Sequence, residues 1–324
     1  MTLELQTWVD IAAYFGGATA MGLGAIGAAI GEGFTASQAN IAISRSPERS
    51  GEILRSMLVG QAIAESASIF SLVVAMILLF SRIDAVSYIT VLAVLGAGLS
   101  MGFGAIGSGV GSGFPAGAAC IGLERQPGMS SRITTNMLIG SAVCQTPSIF
   151  AMVTAFILIF MDFSNSPVNP TWAAVLGAGL AAGVSAIGSG IGGGVVAQNS
   201  VEGISRRPSA MRSVTNVMLL GQAITQTPAI LGLLVGFLLI FMEFPATDQV
   251  APAMALLGAG LCMGIGAIGP GIGEGIASSG GVKWIARNES LTGTITRTML
   301  VGMAVAESTA IYAMVIALVL IFVV

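Results

Sequence analysis

Long apolar stretches alternate with short polar segments along the whole chain of 324 residues. Eight of these stretches are long enough to cross a bilayer, for which about 20 apolar residues suffice. They form pairs, because a polar segment rich in Arg, Ser or Pro follows every odd-numbered stretch. The pattern predicts an all-α membrane protein of eight transmembrane helices arranged as four helical hairpins.

Two sequence motifs recur in each of these hairpins, every 80 or 81 residues. The glycine-rich motif begins at residues 24, 104, 185 and 266 and reads GAIGAAIGEG, GAIGSGVGSG, SAIGSGIGGG and GAIGPGIGEG. The second motif begins at residues 60, 140, 221 and 302 and reads GQAIAESASIF, GSAVCQTPSIF, GQAITQTPAIL and GMAVAESTAIY. Internal repetition at a fixed period indicates copies of one structural unit. The chain therefore divides into four units, residues 1–84, 85–165, 166–246 and 247–324.

Basic residues are distributed unevenly between the two sides of the predicted membrane. Of the 12 lysines and arginines, all except Arg82 lie in or beside the loops that join the two halves of each hairpin. The positive-inside rule places these loops in the cytoplasm and both termini outside. All four hairpins then share one orientation, which makes them parallel rather than inverted repeats. The start, MTLELQTWVD, lacks a basic n-region, so we expect no cleaved signal peptide.

Composition agrees with a lipid environment and excludes several functions. Hydrophobic residues make up 55% of the chain and charged residues 8%, far from the composition of soluble domains. The net charge is only -3 and histidine is absent, so we expect neither nucleic-acid binding nor a histidine metal site. The three cysteines are scattered, and we interpret them as small packing residues.

Glycines alternate along the first helix of each hairpin. In the second hairpin they occupy positions 107, 109, 111 and 113. Residues four apart share one face of a helix, so the alternation gives two smooth flanks that can each approach a neighbouring backbone closely. The pattern predicts a tightly packed layer of glycine-rich helices.

Two glutamates lie inside otherwise uncharged spans. Glu65 and Glu307 occupy equivalent positions in the second helices of the first and fourth hairpins. An ionised carboxylate at the centre of a bilayer costs at least about 2.5 kcal/mol, so each must be neutralised by a proton or a cation. The middle hairpins have Gln145 and Gln226 instead, which cannot release a proton.

The glycine-rich helices repeat this contrast. Glu32 and Glu274 in the outer hairpins correspond to Ser112 and Gly193 in the middle ones. Because the two acids appear and vanish together, Glu32 with Glu65, and Glu274 with Glu307, should each form one site whose carboxylates share a proton. Alternatively, Glu32 and Glu274 mark only the cytoplasmic helix end.

With glycine alternation, an Arg-x-Pro loop and a mid-membrane glutamate at this spacing, each hairpin resembles the c-type rotor proteolipid of F-type and V-type rotary ATPases. The resemblance implies a ring of copies in a bacterial plasma membrane, with glycine helices inside and protons or Na+ exchanged at a stator a subunit. It implies no enzymatic activity and no cofactor for the chain itself. Central-stalk subunits would dock on the loops around Arg45, Arg125, Arg206 and Arg287.

The resemblance also implies a set of ligands wherever the family binds sodium. These are the carboxylate, the following serine, the carbonyl two residues before it, a polar side chain of the glycine helix and an aromatic hydroxyl. The fourth hairpin supplies Glu274, Val305, Glu307, Ser308 and Tyr312. The first supplies Glu32, Ile63, Glu65 and Ser66, but Phe70 replaces the tyrosine. Sodium is therefore one candidate for the cargo, with protons as the alternative.

Two of the four hairpins lack the carboxylate, as in some vacuolar-type proteolipids. Fewer ions then pass per turn, which predicts a rotor suited to ATP-driven pumping rather than ATP synthesis. In a head-to-tail ring, the two carboxylate hairpins of neighbouring copies would adjoin. Two other functions stay open: a proton-conducting channel or transporter using the buried glutamates, which inverted repeats or broken helices would favour, and a structural proteolipid, which the glutamines would favour.

Overall fold

The computed structural model describes residues 4–323 and confirms the all-α prediction, because every regular element in this range is helical. The first three residues of the N-terminal segment and Val324 lie outside the described residues. Eight helical spans in the described range are long and apolar enough to cross a membrane. The chain is therefore an integral membrane protein.

Ten α-helices and four short 3-10 turns build these spans. The helices are α1 (Leu5–Arg45), α2 (Ser50–Phe80), α3 (Tyr88–Arg125), α4 (Ser130–Cys144), α5 (Thr146–Phe160), α6 (Val168–Arg206), α7 (Met211–Thr225), α8 (Thr227–Phe241), α9 (Val250–Arg287) and α10 (Thr292–Phe322). Hairpin 1 comprises α1 and α2, hairpin 2 comprises α3 to α5, hairpin 3 comprises α6 to α8, and hairpin 4 comprises α9 and α10. The 3-10 turns at Pro47–Arg49, Pro127–Met129, Pro208–Ala210 and Glu289–Leu291 join the two halves of each hairpin.

A proline explains why three of the four hairpins turn where they do. Pro47, Pro127 and Pro208 each open a 3-10 turn, and a single residue separates each proline from the preceding helix. Proline has no N–H to continue a helical ladder, but its fixed φ suits the first position of a new turn. The Ser46 N–H still closes helix α1 by donating to the Ala42 carbonyl at 3.0 Å.

The helices form two layers. The inner helices α1, α3, α6 and α9 pack side by side in chain order. Each outer span lies in the groove between its own inner helix and the next one: α2 between α1 and α3, and likewise for the spans of hairpins 2 and 3. Helix α10 packs on α9 and has no following inner helix in the described chain. Consequently only 17% of the 18-residue apolar stretch of this last span is buried inside the protein, compared with 50% for the outer spans of hairpins 2 and 3.

The inner layer confirms the close approach predicted from alternating glycines. The glycine at the sixth position of the glycine-rich motif shows this close approach at all three junctions between the described inner helices. A Cβ added there would lie 2.6 Å from a backbone nitrogen of the neighbouring helix, a distance that no side chain tolerates; the pairs are Gly109 with Ala28, Gly190 with Ser108, and Gly271 with Ser189. The fourth equivalent residue, on the free flank of α1, is Ala29.

The outer spans of hairpins 2 and 3 are each divided into two helices, which the similarity of the four repeats does not predict. Helix α4 ends before Gln145 and α7 ends before Gln226. The cause is Pro147 or Pro228, two residues further on, which cannot donate the i to i−4 hydrogen bond. Gln145 and Gln226 themselves keep right-handed helical angles, so each break is a proline kink and not an unwound segment. The four hairpins remain parallel repeats.

Candidate ion-binding site

Each hairpin brings its two acid positions together. In hairpin 2 the Gln145 side-chain nitrogen donates to Ser112 Oγ at 2.7 Å. In hairpin 3 a Cβ built on Gly193 would lie 3.6 Å from the Gln226 side-chain nitrogen. In the outer hairpins the equivalent two positions hold Glu32 with Glu65 and Glu274 with Glu307.

The two carboxylate pairs differ in burial. Glu274 is fully buried, and neither of its carboxylate oxygens has a hydrogen-bond partner among the described residues. Glu307 is half-buried beside it, whereas Glu65 is exposed and Glu32 half-buried at the open end of the chain. A buried polar group without a partner is costly, so the Glu274 oxygens require a proton, a cation or water.

Gln145 shows which neighbour completes each site. Besides Ser112, its side-chain nitrogen donates to the Ile63 carbonyl at 3.0 Å, and Ile63 belongs to the preceding hairpin. The amide group thus lies between an inner-helix side chain and a carbonyl of the hairpin before it. Gln226 does not repeat this contact, because neither its side-chain nitrogen nor its side-chain oxygen has a hydrogen-bond partner among the described residues.

The serine and the carbonyl that the resemblance assigned to one site lie together on the side of the outer helix that faces the following hairpin. Ser66 Oγ donates to the Ile63 carbonyl at 2.6 Å, and Ser308 Oγ donates to the Val305 carbonyl at 2.7 Å. The Ile63 carbonyl faces hairpin 2, because it accepts the hydrogen bond from Gln145.

The two groups that bind the Gln145 side chain therefore come from two neighbouring hairpins. In the structure Ile63 and Ser66 face the glutamine of hairpin 2. Val305 and Tyr312 lie on the free side of α10, where they are 68% and 65% exposed. Hairpin 3 has Ile224, Thr227 and Leu231 at the sequence positions where hairpin 4 has Val305, Ser308 and Tyr312.

Sequence reasoning missed several residues around these sites. Gln61 donates to the Glu32 carbonyl at 3.2 Å, and Gln222 donates to the carbonyls of Gly140 at 2.9 Å and Gly193 at 3.1 Å. The prolines that break the outer spans were also missed, although their signal was present as the sequence QTP at both sites. These groups fix the outer helices against the inner layer at the depth of the acids.

Comparisons with known proteins agree with this architecture. The family described as the C subunit of ATP synthase matches residues 15–78, 95–158, 176–239 and 257–320. The ATP synthase c subunit of Thermotoga petrophila is 56% identical over 80 residues, which are 24% of this chain and 94% of the relative. That of Petrotoga mobilis is 53% identical over 68 residues, 21% of this chain and 71% of the relative. That of Alkaliphilus oremlandii is 53% identical over 81 residues, 25% of this chain and 91% of the relative.

Each relative thus corresponds to one hairpin, and this chain joins four of them. Proteins of this family are non-catalytic, ion-translocating parts of a larger complex, which confirms the prediction that the chain is not itself an enzyme. The four consecutive matches cover most of the chain and place one family unit on each pair of spans. The chain therefore belongs to the family of ATP synthase C subunits, as a fusion of four of its hairpins.

Proposed function

We propose that copies of this chain assemble head to tail into the rotor ring of an ATP synthase or related rotary ATPase, and that Glu65 and Glu307 carry its protons or sodium ions. The observation that carries this proposal is the contact between Gln145 and Ser112 in hairpin 2, because Glu65 with Glu32, and Glu307 with Glu274, occupy the equivalent two positions in the outer hairpins. In the middle hairpins a neutral glutamine lies at the same point. A carboxylate neutralised by its bound ion can move past the lipid, whereas an ionised carboxylate without an ion cannot.

The incomplete groove beside α10 supports the ring. Each other outer span is covered by two inner helices, but α10 lacks the second one. Helix α1 of a following copy presents the matching flank, where Gly22 and Gly33 have open space beside them. A head-to-tail contact repeated through a closing rotation generates a ring.

Such a ring would contain two kinds of ion site. The site within the chain combines Glu274 and Glu307 with the Ile224 carbonyl. The site between copies combines Glu32 and Glu65 with groups that α10 of the preceding copy leaves open. These groups are the Val305 carbonyl, Ser308 and Tyr312. Density that showed all carboxylates evenly spaced around the ring would exclude this arrangement.

The remaining assignments follow from the distribution of charge. The loops with Arg45, Arg125, Arg206 and Arg287, each in the last turn of an inner helix, would face the cytoplasm and bind the central stalk. The termini would lie outside a bacterial plasma membrane, and the stator a subunit would meet the carboxylates from the lipid side. Parallel repeats favour this rotor over a transporter, since the kinked helices are those without acids.

The decisive experiment is chemical labelling with dicyclohexylcarbodiimide, which reacts with protonated carboxyl groups in lipid. We expect Glu65 and Glu307 to be labelled in the assembled ring, and sodium to protect them if sodium is the cargo. The double variant Glu65→Gln, Glu307→Gln should lose all ion transport coupled to nucleotide turnover. Coupled transport that survives in this variant would falsify the proposal.

A further inference from the structure

We propose that a ring of this chain has two kinds of junction between inner helices, and that the junction between consecutive copies is wider than the three junctions within one copy. The inference rests on the proposed function, because it requires copies that meet head to tail. Its basis is a difference between α1 and the other inner helices on the flank that faces the preceding hairpin.

Helices α3, α6 and α9 have no side chain at two positions of this flank. At the first position a Cβ would clash with a backbone carbonyl oxygen of the preceding helix; the pairs are Gly98 with Gly16, Gly179 with Gly96, and Gly260 with Gly177. At the second position a Cβ would lie 2.6 Å from a backbone nitrogen of the preceding helix; the glycines are Gly109, Gly190 and Gly271. Glycine at both positions is therefore a condition of this close approach.

Helix α1 has an alanine at each of these two positions. Ala18 is equivalent to Gly98, and Ala29 is equivalent to Gly109. Both alanines are exposed on the free flank of α1. On its opposite flank α1 has Gly27 and Gly31, where a Cβ would clash with the backbone of α3. The two changes from glycine to alanine therefore lie on the flank where a preceding copy would pack.

The other side of the copy junction makes no room for these methyl groups. By the repeat, Ala18 would meet the Gly258 carbonyl of the preceding copy, and Ala29 would meet the Pro270 nitrogen. That nitrogen also carries the proline ring, whereas the equivalent residues within the chain are Ala28, Ser108 and Ser189. Carbon atoms pack favourably at about 3.5–4.0 Å, so the backbones at the copy junction should lie about 1 Å further apart than those within a copy.

The wider junction lies beside one of the two acid pairs. Ala29 is three residues before Glu32, less than one helical turn. Within the chain, Gln145 bridges the equivalent location, because it donates to its own inner helix at 2.7 Å and to the preceding hairpin at 3.0 Å. Hydrogen bonds extend to about 3.2 Å, so one side chain could not bridge partners that lie about 1 Å further apart. The pair Glu32 and Glu65 therefore lies in a more open site than Glu274 and Glu307.

The test gives α1 the glycines of the other inner helices, with the double variant Ala18→Gly, Ala29→Gly. Rings of the full-length chain are imaged by electron cryomicroscopy, and the backbone separation at the copy junction is compared with the separations within a copy. We expect the copy junction to be about 1 Å wider in the wild type and no wider in the variant. The dissociation temperature of the variant ring should rise, although glycine ordinarily destabilises a helix.

Two controls accompany this variant. Gly190→Ala makes the reverse change at the position equivalent to Ala29 and should lower the dissociation temperature. The double variant Ala142→Gly, Ala223→Gly makes the same kind of change at exposed positions of the outer spans, and it should not raise that temperature. In carbodiimide labelling, Ala18→Gly, Ala29→Gly should slow the modification of Glu65 and leave that of Glu307 unchanged.

Three results would overturn the inference: equal separations at all junctions of the wild-type ring, a dissociation temperature that does not rise in Ala18→Gly, Ala29→Gly, or equal changes in the labelling of Glu65 and Glu307. Failure of the proposed function is a separate outcome. It is seen when the images show no ring, or show a different polypeptide between two copies of this chain.

Discussion

The middle hairpins and the outer hairpins of this chain share one fold but differ in three respects. Hairpins 2 and 3 have glutamines at the acid positions, kinked outer spans and neighbours on both sides. Hairpins 1 and 4 have acid pairs, straight outer helices and one free flank each. The comparison teaches that the acid pairs lie in the first and fourth hairpins, while the two middle hairpins form a spacer that is neutral at these positions and packed on both sides.

A polar cluster within the membrane holds that spacer together. Asn136 donates to Thr215 Oγ1 at 2.9 Å, and Ser200 Oγ donates to the Asn136 side-chain oxygen at 2.9 Å. Asn136 belongs to hairpin 2 and the other two residues to hairpin 3. Hydrogen bonds between helices in a membrane typically contribute about 0.6 kcal/mol, and up to about 1.7. The two hairpins that have glutamines at the acid positions are therefore also joined to each other by side-chain hydrogen bonds.

The largest expected effect is on coupling, and it comes from giving a middle hairpin an acid. Moving one charge across 100 mV supplies about 2.3 kcal/mol, so few carriers per turn favour pumping over synthesis. We expect the wild-type complex to pump ions with ATP but to make no net ATP at ordinary membrane potentials. Gln145→Glu should raise the number of ions transported per ATP to about one and a half times the wild-type value, because each chain gains a third carrier.

The ratio is measured in reconstituted vesicles from ion flux and ATP turnover. Gln145→Glu retains Ser112 and the Ile63 carbonyl as partners, whereas Gln226→Glu faces only Gly193 on its inner helix. The second variant should therefore increase the ratio less. Net ATP synthesis by the wild-type complex with a normal ion-to-ATP ratio would contradict the pumping hypothesis.

A smaller effect is expected on the stability of the inner layer. Gly190→Ala places a methyl group 2.6 Å from the Ser108 backbone nitrogen, and overpacking of this kind costs about 1–3 kcal/mol. Thermal dissociation of the purified ring should therefore occur at a lower temperature. Gly51→Ala is the control, since nothing lies within 4 Å of a Cβ there, and it should leave the dissociation temperature unchanged or slightly raised. Equal dissociation temperatures for the two variants would mean that the backbones of the inner helices do not approach each other this closely.

The smallest effect tests the spacer itself. Asn136→Ala removes both hydrogen bonds between hairpins 2 and 3 and should lower the stability of the ring by about 1 kcal/mol. Thr298→Ala changes the equivalent residue of hairpin 4, whose hydroxyl donates only within its own helix, and should have no measurable effect. Thermal dissociation measured for both variants distinguishes them. If Thr298→Ala were the more damaging change, the middle hairpins would not be the better-connected pair.

Periodicity alone predicted the spans, the parallel hairpins and the pairing of the acid positions, because each depends on spacing within one repeat. It could not predict which neighbour supplies the carbonyl opposite Glu65 or Glu307, since that depends on the direction in which consecutive hairpins pack. The kinks at Pro147 and Pro228 were visible as residues, yet the repeat suggested one uninterrupted outer helix for every hairpin. A proline two residues beyond each glutamine was the local signal that outweighed the similarity of the repeats.

Fusing four hairpins into one polypeptide also limits the ring sizes, and so the ion-to-ATP ratios, that the proposed rotor can have. A ring made only of this chain contains a multiple of four hairpins, so its size can change only in steps of four. The linkers between hairpins, such as the segment around Ile83 that Gln6 contacts, hold the hairpins of one chain in a fixed order. A mutation that added or removed one chain would therefore change the number of ion carriers in the ring by two at once.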